Sequence, residues 1–178
     1  MKKGNQFVLL CFIALLAASC SNNNSQTPAA AGPTSKTAAV PASTTIILKD
    51  ANLDAVYQQY QVLTKALVVE DVKAANTAAL AIEKGAREVK GGTEMARAAA
   101  AISSTSDLKA QRLAFAGLNE ELIKLLKHSG LDQGNLYVAH CPMALNDEGA
   151  SWVSTSKEIR NPYFGDSMLT CGSVTETL

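Results

Sequence analysis

The chain has 178 residues, and its 16 Lys+Arg balance its 16 Asp+Glu to a formal net charge of zero. With no basic stripe and no nucleic-acid motif, that balance argues against a nucleic-acid partner. Once the first segments are set aside, the length suits one domain with one core.

Lys2 and Lys3 open the chain, and Phe7 to Leu16 is an almost unbroken apolar run. The run falls short of the roughly 20 apolar residues that span a bilayer. Small residues follow and lead directly to Cys20. Residues 1–20 therefore read as a secretory signal peptide. Their end, Leu16-Ala17-Ala18-Ser19-Cys20, resembles a lipobox, the cleavage pattern of bacterial lipoproteins. Leu16 sits one place early, with Ala17 where a larger aliphatic residue is usual. The resemblance implies lipidation of Cys20 as the mature N-terminus. It also implies a cell-envelope location facing the periplasm, on the outer membrane of a Gram-negative bacterium. Several acyl chains on one cysteine anchor stably where one chain binds only marginally, so the membrane is the first expected partner.

Residues 21–49 are polar and low in complexity, with Asn22-Asn23-Asn24 and the prolines Pro28, Pro33 and Pro41. Without aromatic residues they cannot offset their own ordering entropy. They read as a flexible tether with a reach on the order of 30 Å. Thr45-Ile46-Ile47-Leu48 is more apolar and is expected to dock on the domain as a short extended piece.

The folded domain is expected over residues 50–178, with a helical bundle in 50–130. Leu53, Val56, Tyr60, Leu63 and Leu67 recur at helical steps, and Asp50 or Asn52 can cap the start. Val72, Ala75, Ala79, Ile82, Ala86 and Val89 repeat the pattern until Gly91-Gly92. Glu94 to about Ile102 forms a shorter helix with Met95, Ala99 and Ile102 on one face. A last helix runs from Asp107 to Lys127 with Leu108, Gln111, Phe115, Leu118, Leu122 and Leu125 on its face, and Gly130 ends it. The fold class is mainly α: an antiparallel bundle of three to four helices with an irregular C-terminal segment packed across it. Alanine dominates the middle helices, so Leu, Phe and Tyr on the first and last must bury most of the area. Arg112, Glu120 and Glu121 read as a solvated face or surface pairs, Gln111 as a buried polar residue with a partner, and His128 as a favourable cation at a helix C-terminus.

Helical periodicity ends after Gly130. In residues 131–178, Leu136 to Ala139 suits a short strand. Beyond it stand His140-Cys141-Pro142-Met143-Ala144, Gly149-Ala150-Ser151-Trp152-Val153-Ser154, Ile159-Arg160-Asn161-Pro162-Tyr163-Phe164-Gly165 and Met168-Leu169-Thr170-Cys171-Gly172. Trp152, Tyr163 and Phe164 are the expected packing anchors. With Arg112-Leu113-Ala114-Phe115 ahead of them, these spaced motifs resemble the DUF3347 family from about Tyr57 to the C-terminus. Members of that family occur as small secreted proteins and as extensions of periplasmic adaptor subunits of copper/silver efflux systems. The resemblance implies a link to metal handling and an efflux adaptor as a partner.

The residues allow a separate argument for Cu(I). Thiolate and thioether sulfurs are its preferred soft ligands. Pro142 keeps Cys141 out of a helix, and an extended Cys-Pro-Met would put Cys141 and Met143 on one side. Met168 and Cys171 would converge on a single helical turn. His140 is the adjacent nitrogen ligand. Against this stands a disulfide between Cys141 and Cys171, at home outside the cytoplasm and contributing about 3 kcal/mol through the entropy of its loop. Met143 and Met168 would then be ordinary core residues. The pair could also alternate, since a reduced pair binds metal and an oxidised one does not. Zinc is disfavoured, because only Cys141, Cys171 and His140 qualify for a site that usually needs four ligands. No enzyme is expected: His140 beside Cys141 lacks a third orienting group, and neighbours in sequence rarely form a catalytic pair.

Overall fold

The computed structural model describes residues 45–178. The expected signal peptide, the lipidation of Cys20 and most of the expected tether lie outside these residues. Among the described residues no helix is long and apolar enough to cross a membrane.

Four helices form in chain order: α1 (Ala51–Val68), α2 (Val72–Ala86), α3 (Thr93–Ser103) and α4 (Leu108–Ser129). Aspartate starts three of them. The Asp50 carboxylate accepts from the Asn52 and Leu53 amides, Asp71 from Ala74, and Asp107 from Lys109 and Ala110. Each cap satisfies amides that the first helical turn leaves without a partner. Gly130, at φ 78°, ends α4. The second helix stops five residues before Gly91; Val89 lies beyond its end but is still buried.

The expected stripes face inward. Leu53, Val56, Tyr60, Leu63 and Leu67 are buried on α1, Ala75, Ala79 and Ile82 on α2, Met95, Ala99 and Ile102 on α3, and Phe115, Leu118 and Leu122 on α4. Each helix packs on the next in the chain. This is the bundle the periodicity predicts.

The C-terminal segment packs across the bundle as expected and is more regular than its sequence suggests. It contains β3 (Tyr137–Cys141), β4 (Ala150–Ser154) and β5 (Ser173–Thr177), paired antiparallel in the order β4-β3-β5. Cys141 pairs with Ala150, Ala139 with Trp152, and His140 with both Ser151 and Ser173. The β4 strand lies against α4. A second pairing joins β1 (Ile47–Leu48) to β2 (Leu131–Gln133). Ile46 and Leu48 are buried there, so the docking piece expected at Thr45–Leu48 belongs to the folded body.

A run of aromatic rings links the two layers. Tyr57 stacks on Tyr60 and Tyr60 on Phe115, each with centroids 5.7 Å apart. Phe115 meets Tyr163 at 5.6 Å, and Tyr163 meets Trp152 edge-on at 6.2 Å. Such offset and edge contacts contribute beyond their buried area.

Candidate functional site

The site begins at the end of β3. Successive residues of a strand point to opposite faces. Cys141 therefore turns into the core and is fully buried, while His140 turns away from it and is half-buried. Cys141 is joined to Cys171 as a disulfide, with Cα atoms 5.8 Å apart and the two residues 30 positions apart in sequence. The fold thus makes the pairing that was one of two alternatives for these sulfurs.

The methionines sit in turns on either side. An extended Cys-Pro-Met is not what forms: Met143 has φ −89° and ψ −6°, a helical conformation, and its side chain is 47% exposed. The alternation argument that put Cys141 and Met143 on one side therefore does not apply. A turn over Ala144–Asp147 follows, in which Leu145, Asn146 and Asp147 all have positive φ, between 56° and 67°. Asn and Asp tolerate that region; leucine does so only under constraint from its surroundings. Met168 and Cys171 do not share a helical turn either. Met168 is not helical, at φ −147° and ψ 53°, and the Cys171 amide donates to its carbonyl at 3.0 Å to close a turn. Met168 is half-buried.

His140 has its own surroundings. Its Nδ1 lies 3.0 Å from the Ser151 hydroxyl, the cross-strand partner. Its Cε1 and Nε2 lie over Gly149, where an added Cβ would come within 3.0 Å of both. The imidazole is thus cradled on the face opposite Cys141. Among the described residues no three His, Cys, Asp or Glu side chains converge as a metal-binding group.

The loop that carries Cys171 is held at several points. Asn161, fully buried, donates from Nδ2 to the Cys171 carbonyl at 2.9 Å and accepts the Tyr163 amide at Oδ1 at 2.8 Å. Its own amide donates to the Leu169 carbonyl at 2.7 Å. Arg112 is not the solvated residue its sequence suggests. Its side chain is 14% exposed; Nε donates to the Pro162 carbonyl at 2.9 Å, and Nη2 to the Leu67 carbonyl and the Glu70 carboxylate at 3.3 and 3.1 Å. Arg112 therefore bridges the end of α1 to the Asn-Pro-Tyr-Phe segment. No sequence period marks such a role, because its partners, two backbone carbonyls and the Glu70 carboxylate, are distant along the chain.

Behind the loop lies a buried polar relay. The Val153 amide donates to the Tyr60 hydroxyl at 2.8 Å, and that hydroxyl donates to Asn119 Oδ1 at 2.6 Å. Asn119 Nδ2 donates to the Phe115 carbonyl and the Tyr163 hydroxyl, and Tyr163 donates to the Ser151 carbonyl at 2.8 Å. Burial pushes the Tyr60 and Tyr163 hydroxyls above the ordinary phenol range, so both stay protonated and can donate. Gln111 is buried with its Nε2 facing Val72, Thr105 and Asn76, the partnered polar residue expected in the α4 stripe.

These features define a class: a helical bundle crossed by a small antiparallel sheet, with a disulfide joining the end of the central strand to the loop before the last. Residues 56–134 match the model of a family described as Protein of unknown function (DUF3347). The matched residues begin within α1 and end before His140, so they contain most of the bundle and none of the candidate ligands. Neither a curated protein nor a solved structure matches the chain.

Proposed function

We propose that this chain is a non-catalytic, membrane-tethered periplasmic protein that takes up Cu(I) or silver ions for efflux or resistance, and that the redox state of the Cys141–Cys171 pair controls uptake. One observation carries the reading. Folding brings two cysteines 30 residues apart into bonding contact, with Met143 and Met168 two and three residues from them in sequence. Sulfur is the donor that selects Cu(I). In the disulfide the pair offers no thiolate, so the oxidised chain is the closed state. A dithiol reductant delivers two electrons and two protons to the bond and leaves two thiols, each of which loses its proton on binding metal. Cys171, the more exposed of the two, is the sulfur a reductant reaches first. Met143 and Met168, on mobile-ended side chains, complete the soft set. His140 serves as a nitrogen ligand only if its ring leaves the Ser151 contact. The lipid on Cys20 holds the protein at the membrane, and an efflux adaptor is the natural recipient of the ion.

A second reading rests on the burial of Cys141 and the bonds from Asn161 around Cys171. In it the disulfide is a permanent staple, and the chain is an interaction module that binds no metal. Cu(I) titration of the reduced chain against a competing chelator separates the two. The first reading predicts tight one-to-one binding that is lost when Cys141 and Cys171 are both changed to Ser. It also predicts roughly tenfold weaker binding, about 1.4 kcal/mol, in Met143→Leu or Met168→Leu. Affinity unchanged in the double Ser variant would sink it.

A further inference from the structure

The loop that returns from β4 to Cys171 is pinned without help from the sulfurs. Asn161 is fully buried, and its side chain and backbone are all engaged. The side chain donates to the Cys171 carbonyl at 2.9 Å and accepts the Tyr163 amide at 2.8 Å. The backbone amide donates to the Leu169 carbonyl at 2.7 Å, and the backbone carbonyl accepts the Gly165 amide at 3.2 Å. Asn161 thus grips the chain at Leu169 and again at Cys171. Arg112 ties the Asn161 end to the bundle through the Pro162 carbonyl. On the other side of Cys171, Ser173 pairs with His140 on β3. Gly172, between them, has no room for a side chain: at φ 126°, a Cβ there would lie 2.8 Å from the His140 carbonyl oxygen and 2.9 Å from the Trp152 ring.

None of these bonds uses a sulfur atom, so each is open to the dithiol as it is to the disulfide. The two states depend on them differently. In the disulfide, the sulfur bond holds Cys171 beside Cys141 whether or not Asn161 does. In the dithiol, only the clamp does. Without the clamp the reduced loop would gain conformational freedom that the oxidised loop cannot reach, and that entropy would draw the equilibrium toward the dithiol. With the clamp, the two thiols face each other at high effective concentration, which favours closing the bond.

We infer that Asn161 is the positioning residue of the sulfur pair: it keeps the Cys171 thiol beside Cys141 in the reduced chain and thereby lowers the redox potential of the pair. The inference deepens the proposed gate and rests on that reading for its purpose, since a dithiol kept assembled offers both sulfurs to one soft ion without first ordering a loop.

The test equilibrates the full-length chain with mixtures of reduced and oxidised dithiothreitol, without metal. In this exchange dithiothreitol gives two electrons and two protons to Cys141 and Cys171 and closes into its own cyclic disulfide. Alkylation and mass spectrometry read the reduced fraction at those two cysteines. Asn161→Ala should move the equilibrium at least tenfold toward the dithiol, a rise of about 30 mV in potential. Arg112→Met, which releases the Pro162 carbonyl, should move it the same way by at least threefold. Ile82→Ala opens a cavity in α2, which packs on α1 and α3, and should leave the equilibrium within twofold of wild type although the fold is weakened. In the reduced wild-type chain, the Asn161 and Tyr163 amides should keep their protection from hydrogen exchange. An equilibrium unchanged in both loop variants, a shift in Ile82→Ala as large as in Asn161→Ala, or loss of that protection on reduction would overturn the inference. If Asn161→Ala does not fold, Arg112→Met and the exchange measurement decide it. No metal enters the test, so a failure here leaves the Cu(I) reading standing, and a failure of Cu(I) binding leaves this result untouched.

Discussion

The Tyr60 hydroxyl joins three elements with two short hydrogen bonds, accepting from Val153 on β4 and donating to Asn119 on α4. Tyr60→Phe keeps the ring stack and leaves the Val153 amide and Asn119 Oδ1 buried without these bonds. Urea unfolding should show a loss of about 1–3 kcal/mol. The same relay sets a pH limit. Burial raises the folded-state pKa of Tyr60 above the ordinary value of 10.0, and that of Tyr163 likewise. The folded chain therefore keeps these protons where the unfolded chain releases them. Stability from this source is complete below pH 10 and falls as pH rises above it. A melting-temperature series from pH 8 to 11.5 should be flat at first and then decline. In Tyr60→Phe the decline should be shallower, because one of the shifted phenols is gone.

At the scale of elements, Arg112 couples the bundle to the loop that carries Cys171. Its guanidinium serves the carbonyls of Pro162 and Leu67 and the carboxylate of Glu70. Arg112→Met preserves much of the aliphatic stem and removes the donors. Hydrogen exchange should speed up through residues 161–172 while the middle of α2 stays protected, and stability should drop by about 1.5–3 kcal/mol. A uniform change across all helices would contradict a local coupling. The helices themselves were legible in sequence, because their stripes repeat over many turns and aspartate marks three of the starts. The strand at Tyr137–Cys141 was legible in part. The sheet around it was not, because β4 and β5 are only five residues each and their partners lie far along the chain. The candidate ligands were legible as residue types, yet their geometry was not. Met143 takes a helical conformation and His140 faces away from Cys141, both through turn and strand directions that spacing alone does not set.

At the scale of the molecule, the disulfide ties the loop before β5 to the central strand. Changing both cysteines to Ser should remove about 3 kcal/mol, the loop-entropy contribution of a crosslink across 30 residues. The far-ultraviolet helical signal should survive, since the bundle core contains neither sulfur among its helical residues. Trp152 lies close to the loop: a Cβ on Gly172, the residue after Cys171, would meet its ring at 2.9 Å. Reduction of the wild-type chain should therefore brighten the tryptophan fluorescence, as loss of a nearby disulfide quencher does. No change in emission would mean that the bond had not opened.

The central claim is that the sulfur pair is a gate. One sample answers it: count the free thiols of the oxidised chain, titrate it with Cu(I) under a competing chelator, then reduce it and repeat. The account predicts no free thiol from Cys141 or Cys171 and no tight binding before reduction, then both thiols and tight one-to-one binding after it. A disulfide that resists reduction while the chain stays folded, or a reduced chain that leaves all the Cu(I) with the chelator, would contradict the account and make the pair a permanent staple.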